Sequence, residues 1–221
     1  MTVRTAARWL LVGAALFVAR DAPARAVRQS NLAVEPVMRR AAPLARIASW
    51  ARELPPIEVG SVWTRQSSPI RLYADDGEID EAARLALEHI AAGNDEPHAL
   101  APRVEQLLVR AAYHFAAAPV VVVSAWRDKA SRHGTGEAID FKLRGVSARV
   151  LAAYLRGLPR AGVGIYTNPR TQFVHLDVRD QSYHWLDASP PGTKWREAHI
   201  GDPGAAKRDA TWTPAMDLPT P

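Results

Sequence analysis

The chain has 221 residues, 48% hydrophobic and 23% charged, with 28 Lys and Arg against 23 Asp and Glu for a net charge of +5. That length and balance suit one well-cored domain with tails, and exclude a fibrous or wholly disordered chain. Cysteine is absent, which excludes disulfides, thiolate metal sites and cysteine nucleophiles and leaves histidine and carboxylate as the available metal ligands.

Arg4 and Arg8 precede an apolar run from Trp9 to Ala19, and Ala22-Pro-Ala24 and Ala24-Arg-Ala26 offer small-residue cleavage points. This pattern predicts an export signal over 1–26 and a location in the periplasm or cell envelope; an uncleaved membrane anchor is the other reading. Residues 27–66 read as a linker or an arm packed on the domain, with Arg39, Arg40 and Arg46 among alanines and leucines and Pro55-Pro56 breaking any helix. A folded domain is expected over 67–189. Ile70–Tyr73 reads as a short strand, and Glu78–Ala92 and Ala101–Ala117 as helices by apolar spacing, with Pro102 in the first turn of the second. Val120–Val123 and Glu137–Leu143 read as strands, Ser147–Leu158 as a helix capped by Ser147, and Gly162–Tyr166 and Gln172–Val178 as two further strands. The tail over 190–221 is rich in proline and glycine and reads as irregular. The order of elements predicts an α+β fold, a small sheet with helices packed on one side.

Two stretches carry the chemistry. In the first, Ser131, His133, Gly136, Ala138 and Asp140 fit S-x-H-x-x-G-x-A-x-D; the second is Phe173-Val-His-Leu-Asp-Val178. His133 lies in a glycine-containing loop and Asp140 on the strand that follows, so the two can converge if the chain doubles back. Alternation on a strand puts Phe173, His175 and Asp177 on one face and Val174, Leu176 and Val178 on the other. Two histidines and one carboxylate make a ligand set that leaves a fourth position open, as catalytic zinc sites do. Each of these residues alone has a blander reading: a solvated loop histidine, a turn carboxylate, a satisfied core histidine.

These residues resemble the zinc D-Ala-D-Ala peptidase superfamily, which includes hedgehog domains, and within it the murein endopeptidase branch. The likeness covers about Ile70 to Leu186. Ser124-Ala-Trp-Arg127 is similar to the family's S-G-Y-R-like turn, and Gly162-Val-Gly-Ile-Tyr166 to its G-V-G-x-Y strand. The resemblance implies a hedgehog/DD-peptidase-like antiparallel sheet, Zn2+ held by His133, Asp140 and His175, and cleavage of peptidoglycan peptides as an endopeptidase or carboxypeptidase. It implies that Arg127 binds substrate and the developing oxyanion, that Ser131 orients the ligand loop, and that Tyr166 contacts substrate. The partners are peptidoglycan peptides; nucleic acid is not expected, and the membrane only through an uncleaved N-terminal segment. Two departures stand out. Only Asp128, Lys129 and Ala130 separate the arginine turn from the S-x-H segment, where the family has a longer insertion. Gln172 also occupies the position three before the last ligand, where many members carry the general base. Asp177 then reads either as the base or as support for His175, and His184 is a further acid/base candidate. The competing readings are a zinc-containing module that binds wall peptides with little turnover, and an anionic-surface binder with a structural metal.

Overall fold

The structure, a computed structural model, describes residues 49–193 and 198–219. The expected export signal, the first part of the expected arm and Trp195 lie outside these residues. In chain order the elements are α1 (Ser49–Glu53), β1 (Ile57–Ser61), β2 (Ser67–Ile70), α2 (Glu81–Ala92), α3 (Pro102–His114), β3 (Val120–Ser124) and β4 (Ala138–Leu143). They continue with α4 (Ala148–Arg156), β5 (Ala161–Tyr166), β6 (Phe173–Val178), β7 (Tyr183–Asp187), β8 (Ala198–His199) and α5 (Ala205–Ala210), then a 3-10 turn at Pro214–Asp217. Local chemistry sets the helix starts. Asp80 accepts a hydrogen bond from Ala83 N at 2.9 Å, Pro102 opens α3, and Ser147 accepts from Val150 N at 3.3 Å as its position predicts.

The strands form one eight-stranded sheet in the order β2-β1-β3-β4-β6-β5-β7-β8. The α+β class stands, but the sheet is larger than expected, and mixed: β1 pairs with β3, and β5 with β7, in parallel. The segments read as arm and tail supply β1 and β8, and β7, within the expected domain but not read as a strand, supplies the rest. β1 lies inside the expected arm and is hydrogen-bonded on both sides, to β2 and β3. Among the described residues of the stretch read as an irregular tail are β8, α5 and the 3-10 turn. Polar anchors hold that tail. Buried Asp209 accepts hydrogen bonds from the backbone of Arg160 and Ser182, and buried Asp217 pairs with Arg103 at 2.7 Å. Trp212 lies against the guanidinium groups of both Arg103 and Arg160, 4.9 and 4.7 Å from its ring.

Strand alternation sorts the side chains. Ile139, Phe141, Val163, Val174 and Leu176 are fully buried on one face and join Leu107, Leu108, Leu151 and Leu155 of the helices in a single core. Each such side chain contributes about 1.5–3 kcal/mol of burial. The other face carries Asp140, His175, Asp177 and Trp185, with Gly162 and Gly164 between them. The link from β6 to β7, residues 179–182, crosses the start of β5, where Arg179 N donates to Arg160 O at 3.1 Å and Ala161 N donates to Ser182 Oγ at 3.4 Å. Among the described residues no helix is long and apolar enough to cross a membrane.

Candidate metal centre

β4 and β6 pair antiparallel with Asp140 opposite His175 and Ala138 opposite Asp177, so both acids and His175 share the face away from the core. His133 arrives on the loop before β4. Gly136 has φ +72°, and a Cβ there would stand 2.2 Å from the Ala99 carbonyl oxygen; a Cβ on Gly134 would stand 2.0 Å from Lys129 O. Only glycine lets the loop fold so tightly. Ser131 Oγ accepts from Gly134 N at 3.4 Å and steadies the same turn.

Three donor atoms meet. His133 Nε2 lies 3.1 Å from His175 Nδ1 and 3.4 Å from Asp140 Oδ1, and His175 Nδ1 lies 2.8 Å from Asp140 Oδ1. A tetrahedral zinc with bonds of about 2.0–2.1 Å spaces its donors by roughly 3.3 Å. All three residues are buried. The second polar atom of each is tied elsewhere. His133 Nδ1 donates to Ala125 O at 2.5 Å, His175 Nε2 donates to Asp177 Oδ2 at 3.1 Å, and Asp140 Oδ2 accepts from Arg127. These outer contacts set which atom of each side chain faces the common point. The donor set and its spacing therefore fit a divalent metal with an open position.

Electrostatics follow the same contacts. Burial pushes the Asp140 carboxyl up, but the hydrogen bonds with His133 and His175 outweigh it and hold it far below the usual carboxylate range. Burial lowers His175, yet Asp140 and Asp177 on its two nitrogens raise it to about 9. Asp177 is raised by burial and brought below its usual range by His175 and Arg179.

The structure brings some of the remaining residues singled out by the sequence to this cluster and leaves others away from it. Arg127 donates through Nε to Ser124 Oγ at 2.9 Å as well as to Asp140, and its side chain is 43% exposed at the rim. Asp177 stands on the far ring nitrogen of His175, bonded to Arg179 at 2.5 Å and with Arg132 at 3.6 Å. His184 is not brought to the cluster. It pairs in register with core-facing Val163, so its ring lies on the helix side of the sheet, 3.3 Å from Asp202. Tyr166 ends β5 and stacks on Phe173, with ring centroids 4.1 Å apart. Gln172 is exposed beside Ser147 and Thr167, near the start of α4. Trp185 packs on His175 at 4.9 Å between ring centroids. The glycines of β5 make this possible: a Cβ at Gly162 would lie 2.2 Å from an Asp177 oxygen, and one at Gly164 2.4 Å from the Trp185 indole. Arg179 and Arg132 escape a motif reading. The one signal for Arg179 is its spacing, two residues beyond Asp177 on the same strand face.

Residues 127–185 match the family model described as peptidoglycan L,D-endopeptidase MepK, Peptidase_M15_2. Over these residues the chain is similar to the M15 murein endopeptidase branch. Nothing among curated proteins and nothing among solved structures matches it. The matched stretch begins at Arg127 and ends at Trp185, so it contains the whole cluster and the indole that packs on it. M15 enzymes are zinc metallopeptidases, and the buried His133, Asp140 and His175 group can hold such an ion.

Proposed function

We propose that the chain hydrolyses peptide bonds in peptidoglycan stem peptides or cross-links, as an endopeptidase or carboxypeptidase, with zinc held by His133, Asp140 and His175. The convergence of three donor atoms whose partner atoms are already engaged carries this reading. A zinc ion bound there would supply Lewis acidity for amide hydrolysis. Asp177, through Nε2, keeps the His175 ring turned toward the donor point. Arg127 sits at the rim with its guanidinium beside Asp140, where it meets a substrate carbonyl and the charge that develops on it. Ser131 steadies the ligand loop, and Tyr166 contacts substrate along β5. On this reading the helices and sheet follow the hedgehog/DD-peptidase arrangement, enlarged at both edges, and the enzyme acts on the wall outside the cytoplasm after export.

One observation favours a second reading. Gln172 takes the place of the usual base and cannot accept a proton, and Asp177 is clamped behind His175. A zinc-containing module that binds wall peptides with little turnover fits those facts.

Incubation of the purified chain with muropeptides, with and without chelator, followed by mass analysis, separates the two. Products that vanish with chelator support hydrolysis. Zinc at one equivalent with peptide binding and no product supports the binding module. A chain that takes up no zinc defeats both.

A further inference from the structure

A cavity of about 510 Å³ opens beside the metal centre, bordered by Ser124 and by Arg127, the same arginine that reaches Asp140. Its walls are aromatic. Trp63 is 63% exposed, yet its ring is pinned by an Nε1 donation to Val123 O at 2.9 Å. Trp126 is stacked on His98, with centroids 3.7 Å apart and planes 14° from parallel. A large indole held flat against solvent is an unusual cost for a surface to carry with nothing to receive. Between these rings the lining is acidic: Asp95, Glu96 and Asp128. Their carboxylates make no hydrogen bond or ion pair with another described residue. The one cation on the wall, Arg127, is already engaged by Asp140 and Ser124. A chain of net charge +5 thus turns a locally negative, aromatic-walled cavity toward its reaction site.

Aromatic faces and unpaired carboxylates attract the same kind of ligand. A cation over an indole is attracted by the negative face of the ring, and carboxylates nearby add to that attraction in a recess where field lines concentrate. A divalent metal gains nothing from the rings, because carbon faces do not ligate it. We propose that this cavity is a specificity subsite for a side-chain ammonium group on the peptide whose bond lies at the metal centre. This rests on the peptidase reading and adds to it the charge of the residue held on the Arg127 side of the cleft.

The test uses the zinc-loaded full chain and two muropeptides that differ only in a free or an acetylated side-chain amine. The free amine should lower KM about tenfold with kcat within about twofold, because binding remote from the reacting bond is what changes. The Asp95→Asn, Glu96→Gln double variant should no longer distinguish the two peptides; an unchanged zinc content and thermal melt show its fold intact. Equal KM values for the two peptides in the parent chain, or a preference that survives in the variant, would overturn the proposal. So would loss of a second zinc equivalent in the variant, which would make the cavity a metal site. Failure to cleave either peptide sinks the peptidase reading instead, and calorimetry then decides the subsite. Tighter binding of the free amine by about tenfold, lost in the variant, upholds it, and equal affinities reject it.

Discussion

His175 Nε2 stands 3.1 Å from Asp177 Oδ2, and this contact turns the ring so that Nδ1 faces Asp140 Oδ1 at 2.8 Å. Asp177→Asn keeps an acceptor oxygen but removes the charge that Arg179 and Arg132 share. Zinc affinity should fall roughly 10–100-fold, the usual effect of losing an outer partner of a ligand histidine. Competition against a chromogenic chelator measures it, and an unchanged dissociation constant would show that the carboxylate does not position the ring.

The two glycines of β5 make a graded test of close packing. Gly164→Ala drives a methyl group to 2.4 Å from the Trp185 indole, and Gly162→Ala to 2.2 Å from the Asp177 carboxylate. Each should cost about 1–3 kcal/mol in denaturant unfolding. Gly162→Ala should also weaken zinc binding, since it displaces the group behind His175. Gly201→Ala, with no atom within 4 Å of the added Cβ, should stay within about 0.5 kcal/mol of the parent.

Proton uptake at His175 yields a pH signature. Its pKa without metal is pushed from 6.5 up to about 9. A raised histidine stabilises the metal-free fold fully below about 6.5, and that contribution is lost as pH climbs through about 9. Zinc must displace this proton from Nδ1. Calorimetry in buffers of differing ionisation heat should therefore show about one more proton released per zinc at pH 7 than at pH 10. The same release at both values would contradict the assignment of Nδ1 as donor.

Glu105 on α3 is wholly buried, and neither carboxylate oxygen has a hydrogen-bond partner among the described residues. Burial, with the Glu88 charge nearby, pushes it up from 4.5 to about 8. The folded state holds this proton more tightly than the unfolded one, so stability from this group is complete below about 4.5 and declines as pH rises through about 8. Glu105→Gln should flatten the decline and gain roughly 2–4 kcal/mol over the parent at pH 9. Thermal melts across that range check it, and parallel profiles for the two proteins would refute it.

The metal cluster was legible because its determinants are local. The glycines that bend the His133 loop lie within three residues of it, and the period of a strand alone puts His175 and Asp177 on one face. The division of labour between those two was not legible. It depends on a ring rotamer and on Arg179, whose clamp shows only once the strand end is built. His184 misled for a different reason: its facing follows from the parallel register of β7 on β5, a pairing with no local signature. β1 was hidden behind Pro55-Pro56, and its neighbour β3 is some sixty residues away, Val59 opposite Val120. The tail shows the same limit. Its proline and glycine content is that of a loop, but Asp217 meets Arg103 across 114 residues of chain.

The crossing of residues 179–182 over the start of β5 ties the strand that carries His175 to the strand that carries Trp185. β7 pairs with β5 on the side opposite β6, and a four-residue link reaches at most about 14 Å, just enough to pass one intervening strand. Trp185 is thereby held against the His175 ring, with centroids 4.9 Å apart. A displacement of β7 is therefore transmitted to the ligand ring through the indole that packs on it.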